Sequence, residues 1–132
     1  MARLTTLAAV LLLATAADAQ QRFFDSNGVR IRYLELGKGE PVVLLHGNGG
    51  SLQGWLDTGI AADLARDYRV IALDARGHGQ SGKPRDPSAY GQQMGLDLVR
   101  LLDQLGIERA VVGLRVWVRF GRAGVSRGSR RA

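Results

Sequence analysis

The 132-residue chain contains no cysteine and only two histidines, His46 and His78. Without cysteine, neither a disulfide framework nor a thiolate metal site can form. Any chemistry that uses histidine as a base or a ligand is restricted to these two residues. The length is enough for one small domain and not for a second.

Acidic residues are absent from the last part of the chain. All 12 lie at or before Glu108, and 12 of the 18 lysines and arginines lie at or before Arg109, so this part is neutral. The net charge of +6 comes entirely from the arginines that follow, which are Arg115, Arg119, Arg122, Arg127, Arg130 and Arg131. Nucleic acid or an anionic membrane surface is therefore an expected partner only if this tail is genuine.

Long apolar runs are also scarce, and the one clear example lies at the start. Residues 4–17 are almost wholly apolar, follow Arg3, and precede the small residues Ala17 and Ala19 around Asp18. This pattern predicts a secretory signal peptide over residues 1–19, cleaved after Ala19. A membrane-spanning helix needs about 20 apolar residues, and this run is shorter. We therefore expect a secreted or periplasmic protein.

The most informative stretch is residues 41–51, PVVLLHGNGGS. The unbroken apolar run before His46 predicts a buried parallel strand, because it has no polar face. Gly47, Gly49 and Gly50 predict a loop that lets the backbone approach a ligand. Ser51 predicts a helix cap, so the strand, loop and helix could together hold an anion or a developing oxyanion.

The spacing of these glycines separates three families that use such a loop. A dinucleotide fingerprint would need glycine at Leu52, and a phosphate-binding P-loop would need a Gly-Lys-Ser/Thr ending that is absent. The His46-Gly47-x-x-Gly50 pattern instead resembles the oxyanion-hole loop of the α/β-hydrolase superfamily. A nucleotide-binding half stays an alternative because Asp74 stands at a predicted strand end.

The preceding residues predict a hairpin. Residues 23–28 form a short strand and turn, with Ser26, Asn27 and Gly28 as turn residues. Residues 29–33 then alternate between apolar side chains and the arginines Arg30 and Arg32. This period of two predicts an edge strand with one face in water.

The following residues predict alternating helices and buried strands. One helix spans residues 52–64 with a soft interruption at Gly59, and a second helix, over residues 94–105, is closed by Gly106. Buried strands are predicted at residues 69–73 and 110–113. Such alternation predicts an α/β fold with a mostly parallel sheet and flanking helices.

A second loop carries the same family resemblance. Residues 74–81 resemble the Asp-x-Arg-Gly-x-Gly-x-Ser loop of the α/β hydrolases, and the two loops come in the family's order. The resemblance implies the N-terminal half of such a domain over residues 20–113, ending after about the fifth strand. The residues that match the family's loops are His46, Gly47, Gly49, Gly50, Asp74, Arg76, Gly77, His78, Gly79 and Ser81.

The resemblance also implies a hydrolytic activity, and it shows that this chain lacks the catalytic residues for it. Family members hydrolyse esters, amides, epoxides or similar small molecules through a covalent intermediate, here without a cofactor. The backbone N–H of Asn48 would be one oxyanion donor. The nucleophile elbow expected after Gly113 is absent, with Arg115 in the nucleophile's position, and no acid or histidine follows Glu108. None of the Ser-Asp-His triad is present, so we expect an inactive chain.

Residues 114–132 form a basic tail with six arginines and no acid or lysine. We interpret it as out-of-frame and disordered, because Val116-Trp117-Val118 read one base earlier encodes Met, Leu or Val followed by Gly, and the shifted frame admits Ser-x-Met-Gly. The alternative is a secreted binding module whose arginines contact anionic partners. Ser126 lies in a G-x-S-x-G string, but no buried strand precedes it, so we reject it as an elbow.

Three further features have simpler interpretations. His46 and His78 could share a metal ion, but no carboxylate stands at a local ligand spacing and two ligands rarely hold zinc. We therefore expect no metal. Asp74 and Arg76 are predicted to fix the second loop as a pair, and Trp55 is predicted to be a core residue.

Overall fold

The computed structural model describes residues 20–115. The predicted signal peptide, Ser126 and all but the first two residues of the predicted tail lie outside the described residues. The described part contains five strands and three α-helices: β1 (Gln20–Ser26), β2 (Val29–Leu36), β3 (Glu40–Leu45), α1 (Gln53–Asp57), α2 (Ile60–Leu64), β4 (Tyr68–Leu73), α3 (Gln92–Gln104) and β5 (Val111–Leu114). A 3-10 helix at Pro87–Ala89 precedes α3.

The strands form one sheet in the order β1-β2-β4-β3-β5. β2 pairs antiparallel with β1 and β4, whereas β3 pairs parallel with β4 and β5. β2 is thus the only one of the five described strands that runs in the opposite direction. The predicted α/β fold with a mostly parallel sheet is confirmed.

The predicted hairpin between β1 and β2 is also present. Ser26 pairs with Val29 across the turn. Asn27 and Gly28 have positive φ angles of 50° and 92°, the conformation that this tight turn requires and that Asn-Gly adopts readily.

Helices cover both faces of the sheet, with α1 and α2 on one face and α3 on the other. The core therefore has two parts, one on each face. Alternate residues of β3 point to opposite faces, so Val42 and Leu44 contact the side of α1 and α2. Val43 contacts the side of α3, where Leu101 is fully buried. The apolar run in β3 therefore arises because both of its faces are covered, as predicted.

The prediction of an edge strand at residues 29–33 is wrong. β1 occupies that edge, and β2 lies between β1 and β4. Arg32 is only 8% exposed because its guanidinium contacts the carboxylate of Asp74, whereas Arg30 is exposed and lies over the ring of Phe23. The sequence pattern alone does not distinguish Arg32, which is buried with a charged partner, from an arginine that faces solvent.

The helix predicted over residues 52–64 is divided in two. Gly59 has a φ of 76°, in the left-handed region, so the backbone cannot continue one helix through it. The first helix starts later than predicted, with Leu52 rather than Ser51 as its N-cap. Ser51 Oγ still accepts a hydrogen bond from the backbone N–H of Gln53 at 3.3 Å.

The strand predicted at residues 110–113 forms as β5, but it is not buried. Val111 is 68% exposed, because β3 is the only neighbour of β5 among the described strands. The predicted closure of α3 is confirmed. Gly106 has a φ of 68°, and the next N–H, from Ile107, donates to Leu102 O at 2.9 Å in a Schellman arrangement. Between residues 20 and 115, no helix is long and apolar enough to cross a membrane.

Candidate active site

Three strand ends meet at one edge of the sheet. β3, β4 and β5 run in the same direction, so residues 46–52, residues 74–82 and Arg115 all follow at their carboxyl ends. The chain leaves β3 toward α1 on one face and leaves β4 toward α3 on the other. In open α/β sheets, ligands bind in the crevice that forms where the connections after two neighbouring strands leave toward opposite faces.

A cavity of about 310 Å³ opens at this edge. It is lined by His46, Gly47, Asn48, Gly49, Gly50, Ser51, Gly54, Trp55 and Arg115. Among the described residues, the backbone N–H of Asn48 has no hydrogen-bond partner, which leaves it available to an acceptor in the cavity. Arg115 is held beside the loop because its backbone N–H donates to Leu45 O at 3.0 Å.

The two histidines join the first loop (residues 46–52) to the second loop (residues 74–82). Nε2 of His46 accepts a hydrogen bond from the backbone N–H of Ala75 at 2.9 Å. Nε2 of His78 accepts one from the backbone N–H of Gly49 at 3.2 Å. The ring centroids are 5.1 Å apart. Each histidine thus binds the loop that carries the other, and neither presents a free nitrogen as a catalytic base.

The other ring nitrogens agree with this assignment. Nδ1 of His46 lies 2.7 Å from Gly47 O, and Nδ1 of His78 lies 3.1 Å from Arg76 O. Because a carbonyl only accepts, both Nδ1 atoms must carry the proton, and both Nε2 atoms then accept. Nε2 of His78 also lies 3.3 Å from the side-chain amide of Asn48, which must present its NH₂ group to this acceptor. The pattern describes two neutral imidazoles with a structural role.

Asp74 is a fully buried carboxylate that organises both loops. Oδ1 accepts from the backbone N–H of Leu52 at 2.8 Å, and Oδ2 accepts from that of Gln80 at 2.8 Å. Arg32 supplies the opposite charge at 3.4 Å. These partners satisfy the carboxylate, which would be costly to bury alone.

Ser81 connects the second loop to β2. Its hydroxyl donates to Asp74 O at 2.7 Å and accepts from the backbone N–H of Arg32 at 2.9 Å. Gly79 makes the loop's close approach to Asp74, since a Cβ at Gly79 would overlap Asp74 Oδ2. The residue types of this motif are therefore explained by packing and hydrogen bonding.

The predicted pair between Asp74 and Arg76 does not form. Arg76 instead pairs with Asp97 of α3, with contacts of 2.7 Å from Nε and 2.5 Å from an Nη nitrogen. The hydrogen bond to Asp97 raises the pKa of Arg76 above its ordinary value, against the opposite effect of burial. Arg76 also donates to Ala89 O at 2.6 Å, so it anchors the second loop to two later segments.

Asp97 was not identified from the sequence, although it is 1% exposed. Its carboxylate also accepts from Ser26 Oγ of β1. Its position in the sequence indicates this burial. Asp97 stands one residue before Leu98 and four before Leu101, within the apolar stripe of α3 that faces the sheet. An acid in a buried stripe requires a cation, and Arg76 is that cation.

Trp55 is a core residue, as predicted, and also lines the cavity. It is 8% exposed, and its Nε1–H has no hydrogen-bond partner among the described residues. Within residues 20–115, no three histidine, aspartate or glutamate side chains are grouped as metal ligands would be.

Comparison with known proteins agrees with this geometry. Residues 40–113 match the family model of the alpha/beta hydrolase fold. The dihydrolipoyllysine-residue acetyltransferase component of the acetoin cleaving system of Cupriavidus necator is 44% identical over 99 residues, which cover 74% of this chain and 26% of that protein. Epoxide hydrolase A of Mycobacterium tuberculosis is 44% identical over 94 residues, which cover 69% of this chain and 29% of that enzyme.

A solved structure gives the same result for the fold. An epoxide hydrolase from an endophytic Streptomyces superposes with a TM-score of 0.69 at 36% identity, covering 75% of this chain and 30% of that one. The chain thus spans less than a third of the length of each of these three relatives. It belongs to the α/β-hydrolase family and corresponds to the family's N-terminal portion.

Proposed function

We propose that this chain carries the oxyanion-loop half of a small-molecule hydrolase site, of an epoxide-hydrolase-like kind, and does not turn over substrate by itself. The observation that carries the proposal is the free backbone N–H of Asn48 in the cavity at the sheet edge. The two histidines and Asp74 hold this loop in place. Such a loop suits a developing negative charge.

The chain lacks the other residues that covalent hydrolysis requires. Covalent hydrolysis requires a nucleophile, a base to activate it and an acid to orient the base. Arg115 stands at the end of β5, and no acid or histidine follows Glu108 within these 132 residues. Oxyanion donors contribute about 3–4 kcal/mol to a transition state, but only after a nucleophile has attacked.

The similarity to epoxide hydrolases favours an epoxide or a related small molecule as the substrate of a complete site. We also propose export, with cleavage after Ala19. Mass spectrometry of the secreted or periplasmic fraction should then find a chain that starts at Gln20. A cytoplasmic product that retains Met1 would contradict this.

We attribute the basic tail to a shift of reading frame near Gly113. The test is to sequence the gene through the codons for Gly113 to Trp117 and to translate the three frames downstream. The proposal expects another frame to encode a nucleophile elbow and then an acid and a histidine. The restored protein should open styrene oxide or hydrolyse p-nitrophenyl esters. If no frame encodes these residues, the tail is genuine and the hydrolase relationship concerns the fold alone.

The second candidate function is a secreted, non-enzymatic binding module. It is favoured by the confinement of the whole net charge to the arginines from Arg115 onward. Such a tail would bind nucleic acid or anionic lipid with strong salt dependence. If the tail is a genuine binding segment, replacing its arginines with glutamine should abolish binding. If the tail is out of frame, the unmodified chain should show no binding at physiological salt.

A further inference from the structure

The cavity beside the first loop carries a positive charge. Of the nine residues that line it, Arg115 is the only one with a formal charge, since the hydrogen bonds of His46 describe a neutral ring. No carboxylate of the described residues lines it. The position from which a nucleophile would attack therefore carries a cation.

Two hydrogen-bond donors without partners also belong to residues that line this cavity. The backbone N–H of Asn48 has no partner among the described residues, and the buried Nε1–H of Trp55 has none either. Asp74 and Asp97, the nearby buried carboxylates of the second loop and α3, are already paired with Arg32 and Arg76. Local negative charge is thus neutralised, whereas the positive charge of Arg115 has no ion-pair partner within residues 20–115.

We propose that this cavity of the 132-residue chain, whose Arg115 a restored reading frame would not encode, binds a small organic carboxylate, with Arg115 and the Asn48 N–H as the groups that recognise it. A guanidinium matches a carboxylate in charge and can bind it through two parallel hydrogen bonds. One cation balances a monoanion and leaves a phosphate dianion partly uncompensated. Trp55 provides an apolar surface for the organic part of the ligand.

The size of the cavity agrees with this class of ligand. About 310 Å³ lies at the lower end of the range for small-molecule pockets and is enough for an aromatic acid such as benzoate. Binding of this kind does not depend on the proposed role of the loop in hydrolysis, because it concerns a stable anion and requires no nucleophile. It also differs from binding by the rest of the basic tail, because Arg115 is the tail residue that lines the cavity among those the structure describes.

The test is a titration of the ¹⁵N-labelled full chain with benzoate, following the amide resonance of Asn48. The resonance should shift with saturation, and benzyl alcohol, which lacks the charge, should cause no saturable shift. Arg115→Gln should weaken benzoate binding about tenfold, because it removes a charge-assisted bidentate contact. Arg115→Lys should retain part of the affinity, since it keeps the charge and loses the fork geometry.

Two matched variants separate this site from general electrostatics. Arg109→Gln also removes one positive charge, but Arg109 precedes β5 whereas Arg115 follows it. This variant should leave the affinity for benzoate unchanged. A chain with glutamine at the remaining tail arginines should also bind benzoate normally; these are Arg119, Arg122, Arg127, Arg130 and Arg131. The proposal is overturned if the Asn48 resonance does not respond in the unmodified chain, if Arg109→Gln weakens binding as much as Arg115→Gln does, or if the tail variant loses binding.

Discussion

His46 and His78 each accept a hydrogen bond from a backbone N–H of the loop that carries the other. The two imidazoles therefore connect the loops after β3 and β4 in both directions. The free N–H of Asn48 lies in the chain between His46 and Gly49, the two residues of the first loop that make these bonds.

Substitution of His46 tests this connection. His46→Ala removes the bonds to Ala75 N–H and Gly47 O, and it should lower the free energy of unfolding by about 1–3 kcal/mol, because the Ala75 N–H is left without its acceptor. His46→Gln places an acceptor near the position of Nε2 and should recover part of the loss. Urea unfolding measures both. Equal stability of the alanine variant and the unmodified chain would show that the bond contributes nothing.

The close approach of Gly79 to Asp74 gives a second prediction. Gly79→Ala should be strongly destabilising, because its Cβ would overlap Asp74 Oδ2 in addition to the strain of a φ of 51°. Gly49→Ala is the matched control, since Gly49 has a φ of 77° but a Cβ placed there would meet no atom within 4 Å. Its cost should be about 1–2 kcal/mol from backbone conformation alone. Thermal unfolding should separate the two, and an equal loss would contradict the steric account.

The buried ion pair of Arg76 and Asp97 gives a third prediction. Asp97→Ala leaves the guanidinium of Arg76 buried without its partner and should cost about 3–5 kcal/mol. Asp103→Ala, at an exposed position of the same helix, should change the stability by less than about 0.5 kcal/mol. Arg76 stays charged through the neutral range, as an arginine ordinarily does, and the hydrogen bond to Asp97 raises its pKa further. Comparable melting temperatures for the two variants would exclude a structural role for the pair.

The cap of the 3-10 helix gives a pH-dependent prediction. A backbone hydrogen bond from Ser88, followed by one from its side chain, lowers the pKa of Asp86 below its ordinary value of 3.8. Since the folded pKa is the lower one, the stabilising contribution is present above the unfolded value and disappears as the pH falls through the folded value. An NMR titration of the Asp86 carboxyl carbon should give a midpoint below 3.8. Ser88→Ala should move the midpoint upward, and a midpoint unchanged by unfolding in urea would refute the cap.

Local patterns in the sequence were sufficient to locate the strands and the first loop, but not to place β2 inside the sheet or β5 at its exposed edge. The apolar run of β3 and the glycines after it are adjacent in the chain, so their consequence could be derived without knowing any distant partner. The positive φ of Asn27 and Gly28 follows from the same kind of local rule. The family resemblance identified the second loop, and the structure shows that both loops follow the carboxyl ends of parallel strands at one edge of the sheet.

Pairings between distant residues could not be derived in this way. Arg32 looked like a solvent-facing residue because its partner Asp74 lies 42 positions later. The sequence predicts a pair between Arg76 and the nearby Asp74, but the partner of Arg76 is Asp97, 21 positions away on another element. The sequence predicts a soft interruption at Gly59, whereas the backbone geometry shows that one helix ends before this residue and another begins after it. Charge pairing in the core depends on tertiary contacts that spacing does not encode.

The central claim is that this chain holds the oxyanion-loop half of a hydrolase site without the residues that attack the substrate. The most direct measurement is steady-state turnover of styrene oxide and p-nitrophenyl acetate by the purified 132-residue chain. We predict a rate equal to that of buffer for both substrates. Turnover above the buffer rate that copurifies with the chain and disappears in Ser126→Ala would contradict the claim, because a nucleophile would then be present within these residues.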